Sequence, residues 1–335
     1  MLYVTTREKY DAFTTARAIH LDRGAEGGLF LPYKMPYFST EERKEMAERS
    51  FGQNLADLLN RFFSTHLSGW DVEFCVGRYP IRVAPMGQKV LVTECWRNLD
   101  GSYEKMERQL AARICGCGNR EVKLTSWLRI GIRICVLAAV FAELQRQELL
   151  DLQQKIDVAV PDDDFSLAMA VWYGRQMGLP IANIICGCSD DSEAWNLIHN
   201  GQVRPVSQPV VKELERLIFS TLGADEALRY ADCRDREVVY SLKPDQLGIL
   251  RRGVFAAVVS RDRMESVIPN VYRTSAYIME SGAAVSYAGL MDYRAKTGES
   301  RYALLLADRN PVDAAREVAG AMQMTEAQLK DLLSR

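Results

Sequence analysis

The stretch from Ile156 to Cys186 constrains this chain most. An apolar run, Ile156 to Val160, ends at Pro161 and gives way to an acidic turn, Asp162-Asp163-Asp164. A segment of helical period follows, stops at Gly178-Leu179-Pro180, and a second apolar run opens at Ile181. Short apolar runs bounded by turn residues and separated by one amphipathic stretch predict strand, tight turn, helix and next strand. In open α/β folds the turn after such a strand faces the ligand crevice, and the free N–H groups of the following helix are placed for an anion. Here that turn carries three carboxylates and no glycine before Gly174, so it lacks the small residues that a phosphate cradle needs.

The totals bound the rest. At 335 residues the chain can bury a sizeable core, and the length prior is about two domains. A net charge of −2 gives no electrostatic reason to expect nucleic acid or an anionic membrane as partner. The most apolar run, Ile130 to Phe141, contains Arg133 and is too short to cross a bilayer, so it reads as a buried helix. Eight cysteines without a secretory signal predict reduced thiols and a cytoplasmic protein. Two Cys-Gly-Cys pairs occur, Cys115/Cys117 and Cys186/Cys188. Tetrahedral zinc sites use spacers of about two to four residues, so buried free cysteines are the plainer reading and no metal is expected. His20, His66 and His199 are dispersed and show no nucleophile pattern beside them.

Along the chain, Leu2-Tyr3-Val4 predicts a strand, followed by Thr6-Arg7 and a helix from Asp11 to His20. Ser39 and Glu42 form a capping box for a helix to Arg49, and Asn54 to Phe63 places Leu55, Leu58, Leu59, Phe62 and Phe63 on one helical face. Gln88 to Glu94 reads as a strand, Met106 to Ile114 as a helix, and Asp190-Asp191 opens a helix to His199. Gly253 to Ser260 alternates like a strand, Arg261 to Glu280 reads as a helix, and Tyr302 to Ala307 is the last strand. An amphipathic helix from Thr325 to Leu333 closes the pattern.

Several of these segments carry a resemblance. Thr6-Arg7, Glu26-Gly27-Gly28-Leu29-Phe30-Leu31-Pro32, Pro161, Phe165 and Met177-Gly178-Leu179-Pro180-Ile181 resemble the threonine synthase family, pyridoxal-phosphate enzymes of fold type II. The resemblance implies a three-layer α/β large domain over residues 86–335 and a threonine-synthase-like N-terminal domain over residues 1–85. It also implies that the family's chemical residues have changed. Laid beside the family's strand, loop and helix, Glu94 to Lys105 puts Glu104 where the Schiff-base lysine stands. Lys105, one residue on, is turned by about 100° around a helix. Ser126-Trp127-Leu128-Arg129-Ile130 resembles the start of the long helix beyond the family's small lid domain, so about 115–126 replaces that whole domain. The phosphate turn becomes Asp162, Asp163, Asp164, Phe165 and Ser166; the ring-nitrogen loop becomes Asp308, Arg309 and Asn310. Ser281-Gly282-Ala283 replaces a Pro-His-Thr, whereas Glu215-Arg216-Leu217 keeps the family's structural Glu-Arg-Leu.

With the lysine, phosphate turn, lid and ring-nitrogen loop all altered and the packing signatures kept, the expectation is a non-catalytic threonine-synthase-like protein, a pseudoenzyme with a binding, scaffold or regulatory role. A carboxylate at about 6 Å from a phosphate charge costs roughly 3 kcal/mol at an effective dielectric of about 20, so no cofactor is expected. Its partners would be a second copy or a threonine-synthase-family enzyme. The alternatives are a pyridoxal-phosphate lyase converting O-phosphohomoserine to threonine through Lys105, or a repurposed cleft. In the latter Asp162, Asp163 and Asp164 converge with Glu104 or Asp308 for acid–base work or a hard cation. The plainer reading of the three aspartates is that they cap the helix.

Overall fold

The computed structural model describes residues 1–8, 11–77, 81–94, 103–118, 122–162, 165–189, 191–204, 211, 213–307 and 309–334. Strands β1 (Leu2–Thr5), β2 (Phe13–Thr14) and β3 (Phe30–Pro32) form an antiparallel sheet in the order β2-β1-β3. The main sheet takes β4 (Arg82–Pro85), β5 (Val90–Glu94), β6 (Ile156–Pro161) and β7 (Ile181–Cys188). Strands β8 (Gln202–Val203) and β9 (Tyr240–Ser241) pair separately, while β10 (Phe255–Val258) and β11 (Ala303–Ala307) complete the main sheet in the order β10-β7-β6-β11-β5-β4. All its pairings are parallel except that of β4 at the edge.

Parallel strands covered on both faces explain why the apolar runs looked continuous rather than alternating. Along β11, Leu304 and Leu306 face one layer, and Ala303, Leu305 and Ala307 face the other; along β6, Val158 and Val160 oppose Ala159. The first layer holds the helices Phe51–Phe63, Ser126–Arg146 and Ser166–Gln176, and the second holds Arg261–Ser275, Ser281–Thr297 and Ala315–Ala321. The result is a three-layer α/β arrangement. Glycines set two of the contacts between layers. A Cβ on Gly131 would lie 2.5 Å from the Phe63 ring, and one on Gly187 in β7 would lie 2.5 Å from the Val285 carbonyl. The Ser126–Arg146 helix is buried along nearly its whole apolar surface. Among the described residues no helix is long and apolar enough to cross a membrane.

Element boundaries depart from the sequence reading in identifiable places. The helix expected from Asp11 starts at Thr15, because Phe13 and Thr14 pair with β1 and the Thr14 hydroxyl caps the helix. The helix expected from Asp190 begins at Glu193, capped by Ser192, and widens into a π turn over Asn196–Asn200. The helix expected to reach Glu280 stops at Ser275, where Ala276 turns left-handed at φ 51°. Glu280 then caps a new helix, Ser281–Thr297, that the sequence reading lacked. Strand β4 was also unforeseen; it lies before residue 86 yet pairs with β5 in the main sheet. Between the helices Tyr103–Ile114 and Ser126–Arg146, where the resemblance puts an inserted lid, residues 115–118 and 122–125 form no helix or strand, and residues 119–121 lie outside the described residues.

Candidate functional site

A cleft of about 780 Å³ opens at the carboxyl ends of β6, β7 and β10, the place where open α/β sheets bind ligands. Pro161 and Asp162 line it from β6, the segment around Ser192 and Glu193 from β7, Val259 from β10, and Ser281 and Gly282 from the helix that Glu280 caps. Arg309 reaches it from beyond β11, and Lys123, Ser126 and Arg129 from the connector and the long helix.

The turn after β6 is closed by its own backbone. The Asp162 N–H donates to the Gly187 carbonyl at 3.0 Å, and the Phe165 N–H donates to the Asp162 carbonyl at 2.9 Å. Phe165, at φ 61°, is the N-cap of the Ser166–Gln176 helix, and its side chain is buried in the core. A phenyl ring offers no capping oxygen, so the residue at the cap position is not one of the expected aspartates. Asp163 and Asp164 lie outside the described residues. Arg133 Nη1 donates to Ser166 Oγ at 2.7 Å, and Arg133 Nε donates to Glu107 Oε1 at 2.6 Å. A guanidinium beside the positive end of a helix is disfavoured by the helix dipole, and the buried Glu107 carboxylate compensates it here.

The other expected site residues scatter. Glu104 sits on the outer face of the Tyr103–Ile114 helix, 57% exposed, and pairs with Arg108 at 2.8 Å. The hydrogen bond from Arg108 holds its carboxyl below the ordinary value. Lys105 is also exposed, and neither residue lines the cleft. Asn310 serves a turn, its side chain accepting from the Val312 N–H at 3.0 Å. Asp308 lies outside the described residues. Of the expected ring-nitrogen loop, Arg309 is brought to the cleft. Sequence reasoning missed Lys123, Asp191, Glu193 and Glu213 as cleft residues. No local motif marks them, because strand order alone brings them together.

Cys186 and Cys188 are buried within β7, whereas Cys115 and Cys117 follow the Tyr103–Ile114 helix and are half-buried. Burial pushes the Cys115 thiol up to about 11, which disfavours the thiolate that a metal requires. Among the described residues no group of three or more His, Cys, Asp or Glu side chains is placed to hold a metal ion.

Pyridoxal phosphate, the cofactor the resemblance implies, needs a lysine for its aldehyde and donors for its phosphate. Among the described residues the cleft carries five carboxylates, Asp22, Asp162, Asp191, Glu193 and Glu213, against three cations, Lys123, Arg129 and Arg309. The helix start that would cradle the phosphate presents Phe165, with Ser166 already engaged by Arg133. The described residues do not fit the group.

The motif residues that persist meet elsewhere. Thr6 Oγ1 donates to Glu215 at 2.5 Å, Arg7 binds both oxygens of that carboxylate at 3.0 Å, and Arg234 adds a fourth contact at 3.0 Å. Arg216, fully buried, donates to the Phe30 carbonyl at 3.0 and 2.9 Å and to Ser126 Oγ at 2.6 Å, and pairs with Glu213. Gly27, at φ 84°, lets Arg7 approach; a Cβ there would lie 2.8 Å from the Arg7 guanidinium. These residues wire the N-terminal segments to the large sheet's helices.

Comparison with known proteins agrees with this geometry. Residues 2–78 match the family model described as threonine synthase N terminus. Threonine synthase-like 1 of Mus musculus is 29% identical over 76 residues, which cover 23% of this chain and 10% of that protein. Threonine synthase-like 1 of Macaca fascicularis is 22% identical over 175 residues, 48% of this chain and 24% of that protein. The matched region thus spans about a quarter or less of the length of these relatives. The solved structure of pyridoxal-phosphate-bound threonine synthase from Brucella melitensis superposes with a TM-score of 0.84 at 16% identity, spanning 100% of this chain and 95% of that one. Residues 2–78 therefore match the threonine synthase N terminus by sequence, and the chain as a whole shares the fold-type II architecture of the solved threonine synthases.

Proposed function

We propose that this chain is a non-catalytic relative of threonine synthase, a cytoplasmic protein that acts by binding rather than by turnover. The observation that carries the reading is the separation of cleft from chemistry. The cleft persists at the strand ends, while Glu104, in the position the resemblance gives to the Schiff-base lysine, is exposed and paired with Arg108. A carboxylate forms no imine, and Lys105 beside it is exposed away from the cleft lining. The persistence of the buried Thr6, Arg7, Glu215 and Arg216 network supports retention of the fold for its own sake.

Titration of the purified protein with pyridoxal phosphate, followed by visible absorbance and borohydride trapping with peptide mapping, tests this. The expected result is no saturable band and no mapped adduct. A saturable band with a reducible adduct at Lys105, or at the cleft lysine Lys123, returns the chain to the lyases.

A further inference from the structure

We propose that Cys115 and Cys117 form a reversible dithiol–disulfide pair, a site of exchange with small-molecule disulfides of the glutathione class. Its chemistry stands apart from the binding role above and does not depend on it. The Tyr103–Ile114 helix ends in a tight turn. There the Gly116 N–H donates to the Arg113 carbonyl at 3.1 Å, and the Cys117 N–H donates to the Ala112 carbonyl at 2.9 Å. Gly116 stands between the two cysteines at φ 64°, the left-handed residue that closes such a helix end. Consecutive Cα atoms about 3.8 Å apart put the residues either side of a turn glycine roughly 5–6 Å apart, within the roughly 4.4–6.8 Å that a disulfide spans. Cys117 folds back across the turn, its thiol donating to the Cys115 carbonyl at 3.5 Å. Both thiols are free and half-buried.

Access separates this pair from the other Cys-Gly-Cys. A Cβ on Gly116 or Gly118 would meet nothing within 4 Å, so among the described residues the turn faces open space. Cys188 makes the same contact to the Cys186 carbonyl at 3.6 Å, but both of those cysteines are fully buried in β7, out of reach of a dissolved disulfide. Within the exposed pair, Cys115 packs against the apolar core cluster. Burial, and then the charge of Cys117, push its thiol up to about 11. Cys117 is therefore the sulfur that attacks first. Its thiolate breaks the glutathione disulfide, joins one half and releases the other as a thiolate. The Cys117 charge is then gone, and with it one of the two causes that hold Cys115 protonated. The Cys115 thiolate attacks the Cys117 sulfur and releases the second glutathione. Two protein thiols are oxidised to one disulfide, and one glutathione disulfide is reduced to two thiols, which take up the two protons.

Equilibration of the full chain at varied ratios of oxidised to reduced glutathione, followed by acid quench, alkylation of the remaining thiols and peptide mapping, tests this. The expected result is a disulfide joining Cys115 to Cys117, reversed by excess reduced glutathione, with Cys186 and Cys188 recovered as alkylated thiols throughout. Cys115→Ser is expected to stop at a glutathione adduct on Cys117, and Cys117→Ser to take up glutathione at Cys115 roughly tenfold or more slowly. No disulfide between the pair at any ratio overturns the proposal, as does pairing of either sulfur with any other cysteine. Absence of the adduct in Cys115→Ser, or faster uptake in Cys117→Ser, overturns it equally.

Discussion

At Glu215 a carboxylate with no exposure is held by Thr6, Arg7, Arg23 and Arg234. Burial pushes its pKa up, but hydrogen bonds and charge from Arg7, the Thr6 hydroxyl and the charge of Arg23 outweigh it, and the carboxyl ends below its ordinary value. A pKa depressed by folding stabilises above the unfolded value, about 4.3 for glutamate, and that stability is lost as pH falls through the folded value. Glu215→Gln leaves three buried or half-buried guanidiniums without their counter-charge. It is expected to cost roughly 3–5 kcal/mol at pH 7, with the deficit shrinking below about pH 4. Urea unfolding at the two pH values checks this, and a deficit independent of pH overturns the electrostatic account. Residues of this kind were legible in the sequence as short retained motifs, Thr6-Arg7 and Glu215-Arg216, although their contact was not. Cleft residues such as Lys123 and Glu213 were legible less, because they belong to segments far apart in the chain. Asp157 was hidden in a run read as apolar, where β6 buries it against Asn183 at 2.7 Å.

Whole elements were readable where apolar side chains recur at a fixed period, and unreadable where they pack by being small. The Ser281–Thr297 helix meets β6 and β7 through Ala283, Ala284, Ala288 and Gly289, which give no stripe of large apolar residues to detect. The short strand β4 is too brief and too exposed to show alternation. Gly178-Leu179-Pro180, in contrast, announced a helix end, and the structure gives the reason. Gly178 sits at φ 92° just past the Ser166–Gln176 helix, and the Phe38 N–H donates to the preceding Met177 carbonyl at 2.7 Å. A Cβ on Gly178 would stand 2.8 Å from the Phe38 carbonyl oxygen. Gly178→Ala is therefore expected to destabilise by about 1–2 kcal/mol or more through the left-handed backbone and that contact. Gly248→Ala, inside the Pro244–Gly253 helix with nothing within 4 Å of the new methyl, is expected to be neutral or to stabilise by up to about 1 kcal/mol. Chemical denaturation of the two variants side by side separates the causes; equal effects would mean that neither backbone nor contact matters at Gly178.

For the molecule as a whole, the question is whether the N-terminal region is a separate unit of stability. The sequence reading divides the chain at residue 85. A division that held in stability would give two unfolding transitions, the smaller belonging to residues 1–85. The packing argues for one. A single apolar cluster runs from Tyr3 and Leu55 through Trp127 and Val158 to Leu306. Tyr3 meets Trp127 edge to face at 5.7 Å and donates its hydroxyl to the Phe62 carbonyl at 2.6 Å. Arg216 and Glu215 add buried polar contacts from the far side of the chain to Phe30, Thr6 and Arg7. Unfolding the N-terminal region alone would expose the apolar face of the Ser126–Arg146 helix and strand several buried charges, each costly in isolation. Scanning calorimetry is therefore expected to show one transition, with calorimetric and van't Hoff enthalpies in agreement. Glu215→Gln should move that whole transition to lower temperature without splitting it. Two resolved peaks, with only the smaller moved by the substitution, would show that the buried network joins two units that are stable apart.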